Sequence, residues 1–165
     1  MPGTLEKRIG SVRALDAGEA LVIGLGVASG DIGAQVSRVL AEHGMSPRQY
    51  HVLRMLRGAG AEGLSHADIG RRLVARAPDV TRMMDQLEAQ RWISRKPSAS
   101  DRRIVIHRLT ARGRAMLATV AGPLGAFYRD LEDFLGPKAS AQLLALCERL
   151  IAFANQYDPG SAGAE

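Results

Sequence analysis

The sequence predicts a mainly α-helical fold with one small β-hairpin, an α+β arrangement in which helices dominate. Through most of the chain, apolar residues recur at every third or fourth position, which is the spacing of one buried helix face. Residues 103–109 depart from this spacing with a β-branched run that is typical of a strand. Aromatic residues make up 4% of the chain, so we expect the helices to pack through aliphatic side chains.

Two helices are predicted in the first third of the chain. The first spans residues 15–43 and ends at Gly44, because glycine suits the left-handed backbone that follows many helices. The second begins with Ser46 as its N-cap and Pro47 in its first turn, where these residue types are favoured. It ends near residues 58–60, where Gly-Ala-Gly interrupts the apolar pattern.

A short helix, a brief turn and an amphipathic helix follow in the middle of the chain. Ser65 is the predicted N-cap of the short helix, with Asp68 at the acidic position of a capping box. The next helix opens at Pro78, and its apolar face consists of Val80, Met83, Met84 and Leu87. The opposite face is polar and consists of Asp79, Thr81, Arg82, Asp85 and Gln86. This order predicts a helix-turn-helix.

A β-hairpin is predicted directly after the helix-turn-helix. Its strands span residues 92–96 and 103–109, and residues 97–101 between them have the composition of a turn. Arginines next to the turn give the hairpin a basic tip.

Two long helices are predicted to complete the fold. Thr110 caps a helix over residues 111–134, which we expect to be kinked at Gly122-Pro123 because proline removes a helical hydrogen bond. A last helix follows over residues 139–155. Residues 158–165 are predicted to be a disordered tail.

Positive charge is concentrated in the middle of the chain. Residues 45–114 hold 15 Lys and Arg against 6 Asp and Glu, whereas the remainder holds 7 against 11. A segment with this basic excess is typical of proteins that bind polyanions such as nucleic acids. A solvated basic face without a partner is the alternative interpretation of the charge.

The most specific motif covers the hairpin and the start of the helix after it. Asp101-Arg102-Arg103 is followed by a strand and then by Leu109-Thr110-Ala111-Arg112-Gly113. This order of Asp-x-Arg, strand and Leu-Thr-x-x-Gly resembles the signature of the MarR family. Residues 80–88 also resemble the recognition helix of that family, and the resemblance extends over about residues 15–157.

The resemblance implies a winged helix-turn-helix flanked by N- and C-terminal dimerisation helices. Residues 15–157 would form a single domain, in which residues 46–109 are the DNA-binding lobe and residues 1–45 and 110–157 supply the dimerisation helices. Arg91 departs from the family pattern, which usually has glycine there. We expect Arg91 either to accept a strained left-handed backbone or to end the helix differently, which affects the angle of the wing.

In such a fold, exposed residues near the start of the recognition helix face base edges in the major groove. Arg82 is the best candidate for a base or phosphate contact, and Thr81 for a phosphate or a thymine methyl group. The short helix begins near the phosphate backbone, arginines of the wing tip enter the minor groove, and Asp101 orients an arginine. The predicted DNA-binding residues are Ser65, His66, Arg76, Asp79, Thr81, Arg82, Gln86, Arg95, Lys96, Asp101, Arg102 and Arg103.

The resemblance implies a homodimer that regulates transcription, with double-stranded DNA as its partner. We expect a cytoplasmic protein, because the first residues do not have the charged-then-apolar layout of a signal peptide. We expect a repressor that binds a pseudo-palindromic operator and whose affinity a small aromatic or phenolic effector lowers. The candidate effector-binding residues are Met45, Tyr50, His51 and Trp92, with packing in the core as the alternative for each. A non-specific nucleoid or architectural DNA-binding protein is the alternative function, because it needs the same charge without sequence recognition.

The remaining chemistry of the sequence points away from catalysis. Residues 24–30 read G-x-G-x-x-x-G, one residue too long for a dinucleotide-binding loop and within a helical pattern, so we do not expect a nucleotide-dependent enzyme. Cys147 is the sole cysteine, so an intramolecular disulfide is impossible, and we expect a buried thiol rather than a redox switch. The four histidines are scattered, so we expect neither a metal site nor a cofactor. The longest apolar run, residues 20–28, is too short to predict a membrane span.

Overall fold

A computed structural model describes residues 4–10, 15–73, 80–98 and 101–157 of the chain. Seven helices and three strands lie in this described part. In chain order they are α1 (Thr4–Ile9), α2 (Ala17–Ala41), α3 (Pro47–Ala59), β1 (Leu64–Ser65), α4 (His66–Arg72), α5 (Val80–Ala89), β2 (Ile93–Pro97), β3 (Val105–Leu109), α6 (Ala111–Leu135) and α7 (Pro137–Gln156). The chain divides into two compact units, one up to Gly122 and one from Pro123 onwards.

The predicted ends of the first two long helices are confirmed. After α2, Gly44 has a φ of 67°, and its N–H donates to Ala41 O at 2.9 Å. The N–H of Met45 donates to Leu40 O at 3.1 Å, so the pair of bonds forms a Schellman motif. At the start of α3, the Ser46 hydroxyl accepts from the N–H of Gln49 at 3.3 Å, and the Gln49 side chain accepts from the N–H of Ser46. This capping box gives α3 a fixed starting point.

The core of the first unit lies between α3, α4, α5 and the strands. In α5 the apolar stripe predicted from spacing is the buried one, because Met83, Met84 and Leu87 all lie inside. Further buried side chains come from the neighbouring elements: Val52, Leu53, Leu56, Leu64, Ile69, Leu73, Trp92, Ile93 and Leu109. The predicted helix-turn-helix therefore has its own hydrophobic core.

The hairpin is part of a three-stranded antiparallel sheet with the order β1-β3-β2. Strand β1 was not predicted, since two residues are too few to show an alternating pattern. It pairs Leu64 with His107 of β3. Just before it, Gly63 has a φ of 70°, and a Cβ there would lie 2.3 Å from His107 O. Only glycine permits this close approach, and it brings the start of α4 beside the wing.

The bounds of the two C-terminal helices follow the prediction with small shifts, and the kink at Gly122-Pro123 stays a prediction. Helix α6 begins where Thr110 was predicted to cap it, because the N–H of Gly113 donates to Thr110 Oγ1 at 3.0 Å. It continues through Pro123 as one helix, and α7 begins directly after Gly136. In the second unit, α7 and the end of α6 line an open groove of about 370 Å³ that includes the half-buried Cys147. The groove-lining residues are Tyr128, Leu131, Glu132, Leu135, Ser140, Leu143, Leu144 and Cys147.

Helix α2 is more apolar as a whole than its longest apolar run indicated. Its length of 25 residues and a mean hydropathy of 1.4 in one window satisfy a length-and-composition test for a membrane span, with none of that window buried. This is weak support for a span, because helices of soluble proteins pass the same test. The glycine-rich segment 24–30 lies inside α2, where Leu5 of α1 packs over Gly24, so it is not a phosphate-binding loop.

Candidate nucleic-acid interface

Helix α5 presents one polar face to solvent. Thr81, Arg82, Asp85 and Gln86 are exposed, while the opposite face is buried in the core of the first unit. Arg76 and Asp79, also predicted as DNA contacts, lie outside the described residues. An exposed polar face on a firmly packed helix is what insertion into a major groove requires.

The start of α4 is fixed by a second capping box. The Ser65 hydroxyl accepts from the N–H of Asp68 at 3.1 Å, and the Asp68 carboxylate accepts from the N–H of Ser65 at 3.3 Å. The hydroxyl also donates to that carboxylate at 2.6 Å. This hydrogen bond, assisted by the Ser65 N–H and by Arg71 and Arg72, lowers the pKa of Asp68 against the opposing effect of burial. The side chain of Ser65 thus has an internal role as the N-cap of α4.

His66 connects α4 to the recognition helix and to the wing. Its Nε2 lies 3.5 Å from Thr81 Oγ1 of α5, and its ring centroid lies 6.0 Å from that of His107 on β3. Side chains of α4, α5, β2 and β3 line an open cavity of about 260 Å³, namely His66, Thr81, Met84, Asp85, Arg95, Val105 and His107. Three predicted DNA-binding residues, His66, Thr81 and Arg95, therefore line one cavity.

His107 is a buried polar residue with no predicted role. Its side chain is 4% exposed, and its Nδ1 has no hydrogen-bond partner in the described part of the protein. Burial lowers the pKa of His107, electrostatic interactions with His66 and Arg95 lower it further, and Asp85 opposes them. The imidazole is therefore neutral at pH 7.

The wing presents basic side chains at its tip. Arg102, Arg103 and Lys96 are exposed. The Asp101 carboxylate accepts from the backbone N–H of Arg103 at 2.9 Å, and Asp101 O accepts from Ile104 at 3.0 Å. Asp101 therefore holds the backbone of the tip in a turn, so that the neighbouring arginines extend from a fixed segment.

Arg95 has two carboxylate partners on α5. Its Nη1 lies 3.2 Å from Asp85 Oδ1, and its Nε lies 2.8 Å from Glu88 Oε2. The ion pairs join the first strand of the wing to the recognition helix. This network was not predicted, although the spacing of Asp85 and Glu88 at i and i+3 already places both acids on one side of the helix.

Arg91 takes the first of the two conformations expected for it. Its φ is 59°, the one positive value for a non-glycine residue in the described segments. Its N–H donates to Glu88 O at 2.7 Å, and the N–H of Trp92 donates to Leu87 O at 3.0 Å. Recognition helix α5 therefore ends in a Schellman motif with arginine in the usual glycine position, and the direction in which the chain enters the wing is the one a glycine would give.

The start of α6 is joined to this turn. The Thr110 hydroxyl donates to Arg91 O at 2.7 Å and lies 3.0 Å from Trp92 O. A Cβ on Gly113 would lie 2.1 Å from Trp92 O, so the first turn of α6 approaches the end of the recognition helix as closely as two backbones allow. The Leu-Thr-x-x-Gly part of the motif thus has a packing function.

The four predicted effector-binding residues differ in their burial. Met45 and Trp92 are buried at 3% and 5% exposure, which supports the alternative of core packing. Tyr50 is half-buried beneath the Arg54 guanidinium at 5.8 Å, and His51 is exposed. Neither the groove of the second unit nor the cavity beside His66 is lined by any of these four residues.

Comparison with known sequences identifies the family. The MarR family model matches residues 43–104, which hold α3 to the tip of the wing. The HTH-type transcriptional regulator MhqR of Bacillus subtilis is 29% identical over 137 residues, which are 83% of this chain and 93% of MhqR. The HTH-type transcriptional regulator PecS of Dickeya dadantii is 30% identical over 138 residues, which are 82% of this chain and 83% of PecS.

A solved structure agrees with these matches. The transcriptional repressor CouR, bound to a 23-mer DNA duplex, superimposes with a TM-score of 0.75 at 27% identity. The alignment covers 86% of this chain and 99% of CouR. These proteins are regulators rather than enzymes, in agreement with the prediction from the sequence. The chain belongs to the MarR family of transcriptional regulators, and it has the winged helix-turn-helix fold with which that family binds DNA.

Proposed function

We propose that this protein is a sequence-specific repressor that binds a pseudo-palindromic operator as a homodimer in the cytoplasm. The observation that carries the proposal is the exposed polar face of α5, flanked by a basic wing. One such surface per subunit, related by a two-fold axis, reads two half-sites about one helical turn apart.

In this proposal, α5 enters the major groove and the wing tip lies in the adjacent minor groove. Arg82 binds a base edge or a phosphate, with Thr81 and Gln86 beside it. Arg102 and Arg103 follow the negative potential of the minor groove. Phosphate contacts come from Lys96 and from the start of α4 at Ser65 and His66. Arg76 and Asp79 remain predicted DNA-binding residues.

The apolar surface of the long helices supports the homodimer. In α2, Val22 is 71% exposed, and in α7 Leu144 and Ile151 are 63% and 62% exposed. Apolar surface of this extent needs a cover, and a second copy of the chain supplies one. The same cover accounts for the hydropathy of α2 without a membrane span.

We further propose that a small aromatic or phenolic effector lowers operator affinity. This part rests on the family resemblance, with Met45, Tyr50, His51 and Trp92 as the candidate residues. An effector acts by favouring a spacing of the two recognition helices that does not match the operator. Titration of phenolic compounds against the protein–operator complex tests it, and an unchanged affinity throughout removes the effector from the proposal.

Fluorescence anisotropy with DNA from upstream of the protein's own gene tests the central proposal. Scrambled DNA of equal length serves as the competitor, and we expect the operator to be preferred by a factor of about 10³ or more. Arg82→Ala and Arg103→Ala should each weaken operator binding, whereas Lys138→Ala, which removes one exposed charge at the start of α7, is the matched control. Equal and salt-sensitive binding to both DNAs would instead indicate a general architectural protein.

A further inference from the structure

Arg95 lies at the contact between the wing and the recognition helix. On β2, side chains alternate between the two faces of the sheet, so Arg95 lies on the same face as the buried Ile93. Lys96 lies on the other face. The Arg95 guanidinium therefore points towards α5, whereas the Lys96 side chain lies on the opposite face of the sheet.

Arg95 is the cation between two acids of the recognition helix. Its Nη1 and Nε lie 3.2 and 2.8 Å from the carboxylates of Asp85 and Glu88. The three side chains are partly exposed, at 54%, 57% and 34% respectively, so solvent weakens each pair. The larger consequence concerns DNA, because Asp85 lies on the exposed face of α5 beside Thr81 and Arg82, where phosphates repel an uncompensated carboxylate.

We propose that Arg95 is a positioning residue for DNA binding, whose guanidinium partly offsets the negative charge of Asp85 and Glu88 and holds the first wing strand against α5. This assignment replaces the phosphate contact expected from the sequence. It rests on the proposed placement of α5 and the wing on DNA. A phosphate contact acts through DNA alone, whereas Arg95 acts through the two acids.

A double-mutant cycle on the full-length protein separates the two roles. Operator affinity is measured for wild type, Arg95→Ala, the pair Asp85→Asn and Glu88→Gln, and the three changes together. We expect Arg95→Ala to weaken binding by roughly tenfold when both acids are present, and by less than about twofold when they are neutral. Because Arg95→Ala removes one positive charge in both backgrounds, overall charge cannot produce this difference. An equal loss in both backgrounds would overturn the proposal and restore the phosphate contact.

The salt dependence of binding gives a second readout. Loss of a phosphate contact lowers the slope of log affinity against log salt by about one, and we expect this for Lys96→Ala. Arg95→Ala in the background with neutral acids should leave that slope unchanged. A fall of about one there would contradict the positioning role.

Further variants separate the role of Arg95 from a loss of folding and from a failure of the proposed DNA interface. If Arg95→Ala lowers the melting temperature, the cycle is repeated with Arg95→Gln, which keeps a longer side chain. A second cycle uses Glu88→Gln alone in place of the pair of neutral acids, so that Asp85 is unaltered. If Arg82→Ala and Lys96→Ala also leave operator affinity unchanged, the proposed interface fails and this inference fails with it. If those two weaken binding while the cycle shows no coupling, only the role of Arg95 is overturned.

Discussion

In the predicted DNA-binding lobe (residues 46–109), apolar side chains of three helices and a sheet bury one another, whereas α2 and α7 leave theirs largely in solvent. Leu53, Leu56 and Leu87 of the lobe are fully buried. In contrast, no residue of α7 is buried in the chain as the structure describes it, and Phe153 is 61% exposed. The lobe can therefore fold on the apolar contacts of a single chain, while the long helices need a second surface to complete their packing.

The largest expected effect comes from placing charge on the exposed apolar face of α7. Leu144→Glu with Ile151→Glu puts two carboxylates one heptad apart on the side of the helix that we assign to the partner subunit. Because buried unpaired charges are costly, the dimer should dissociate and operator affinity should fall by about a thousandfold. Analytical ultracentrifugation and anisotropy measure the two effects. Glu148→Gln on the same helix is the control, and a double variant that remains dimeric would mean that another surface forms the interface.

A cavity in the lobe should act on stability without changing the oligomeric state. Leu53→Ala removes a fully buried side chain of α3, so the free energy of unfolding should fall by about 3 kcal/mol. Urea denaturation followed by circular dichroism measures it. The exposed Leu144→Ala change, measured at concentrations where the chain is monomeric, should cost less than about 0.5 kcal/mol. Similar losses for both would show that the two regions do not differ as described.

Acid should destabilise the lobe through His107. The pKa of His107 is lowered in the folded state by burial and by His66 and Arg95. Below the ordinary value of 6.5, the unfolded chain therefore binds a proton at His107 more readily than the folded chain does. Stability should therefore fall as pH drops below about 6.5, by at most about 1.4 kcal/mol per pH unit for this group. Denaturation curves from pH 7.5 to 5 measure the slope. His107→Gln should reduce it, and the same change at the exposed His51 should not.

The smallest expected effect comes from the Schellman motifs that end α2 and α5. Helix α2 ends in a Schellman motif with Gly44 at the left-handed position, and α5 ends in one with Arg91 there. A side chain in this conformation costs about 1 kcal/mol, so Arg91→Gly should raise the melting temperature slightly, by the equivalent of about 0.5 kcal/mol. Gly44→Ala should lower stability by about 1 kcal/mol. Differential scanning calorimetry resolves both, and a destabilised Arg91→Gly variant would mean that the arginine side chain contributes more than the strain removes.

Much of the local structure could be predicted because it depends on residues close in sequence. The Ser46 and Ser65 caps, the Gly44 turn and the buried stripe of α5 each involve residues within five positions of one another. The basic tip of the wing followed from a motif of thirteen residues, from Asp101 to Gly113. These local features lie where the sequence predicts them.

The candidate site was only partly predictable, because several of its contacts join distant segments. The His66–His107 approach joins α4 to β3 and depends on strand β1, which is too short to show a pattern. The sequence predicts a phosphate contact for Arg95, because a basic residue on a wing strand is typical of one. Its pairing with two acids of α5 could not be predicted, because it depends on the angle between the strand and the helix.

By itself, the sequence determined the order of the six helices from α2 onwards and of the two hairpin strands, several helix ends, the basic hairpin and the family, because hydrogen-bonding caps and side-chain periodicity act over a few residues. It also limited Arg91 to two conformations without choosing between them. The tertiary structure decided that choice, added the third strand, paired Arg95 with two acids and left the apolar faces of α2 and α7 uncovered. These outcomes depend on which surfaces meet after the chain has packed, and local spacing carries no information about them.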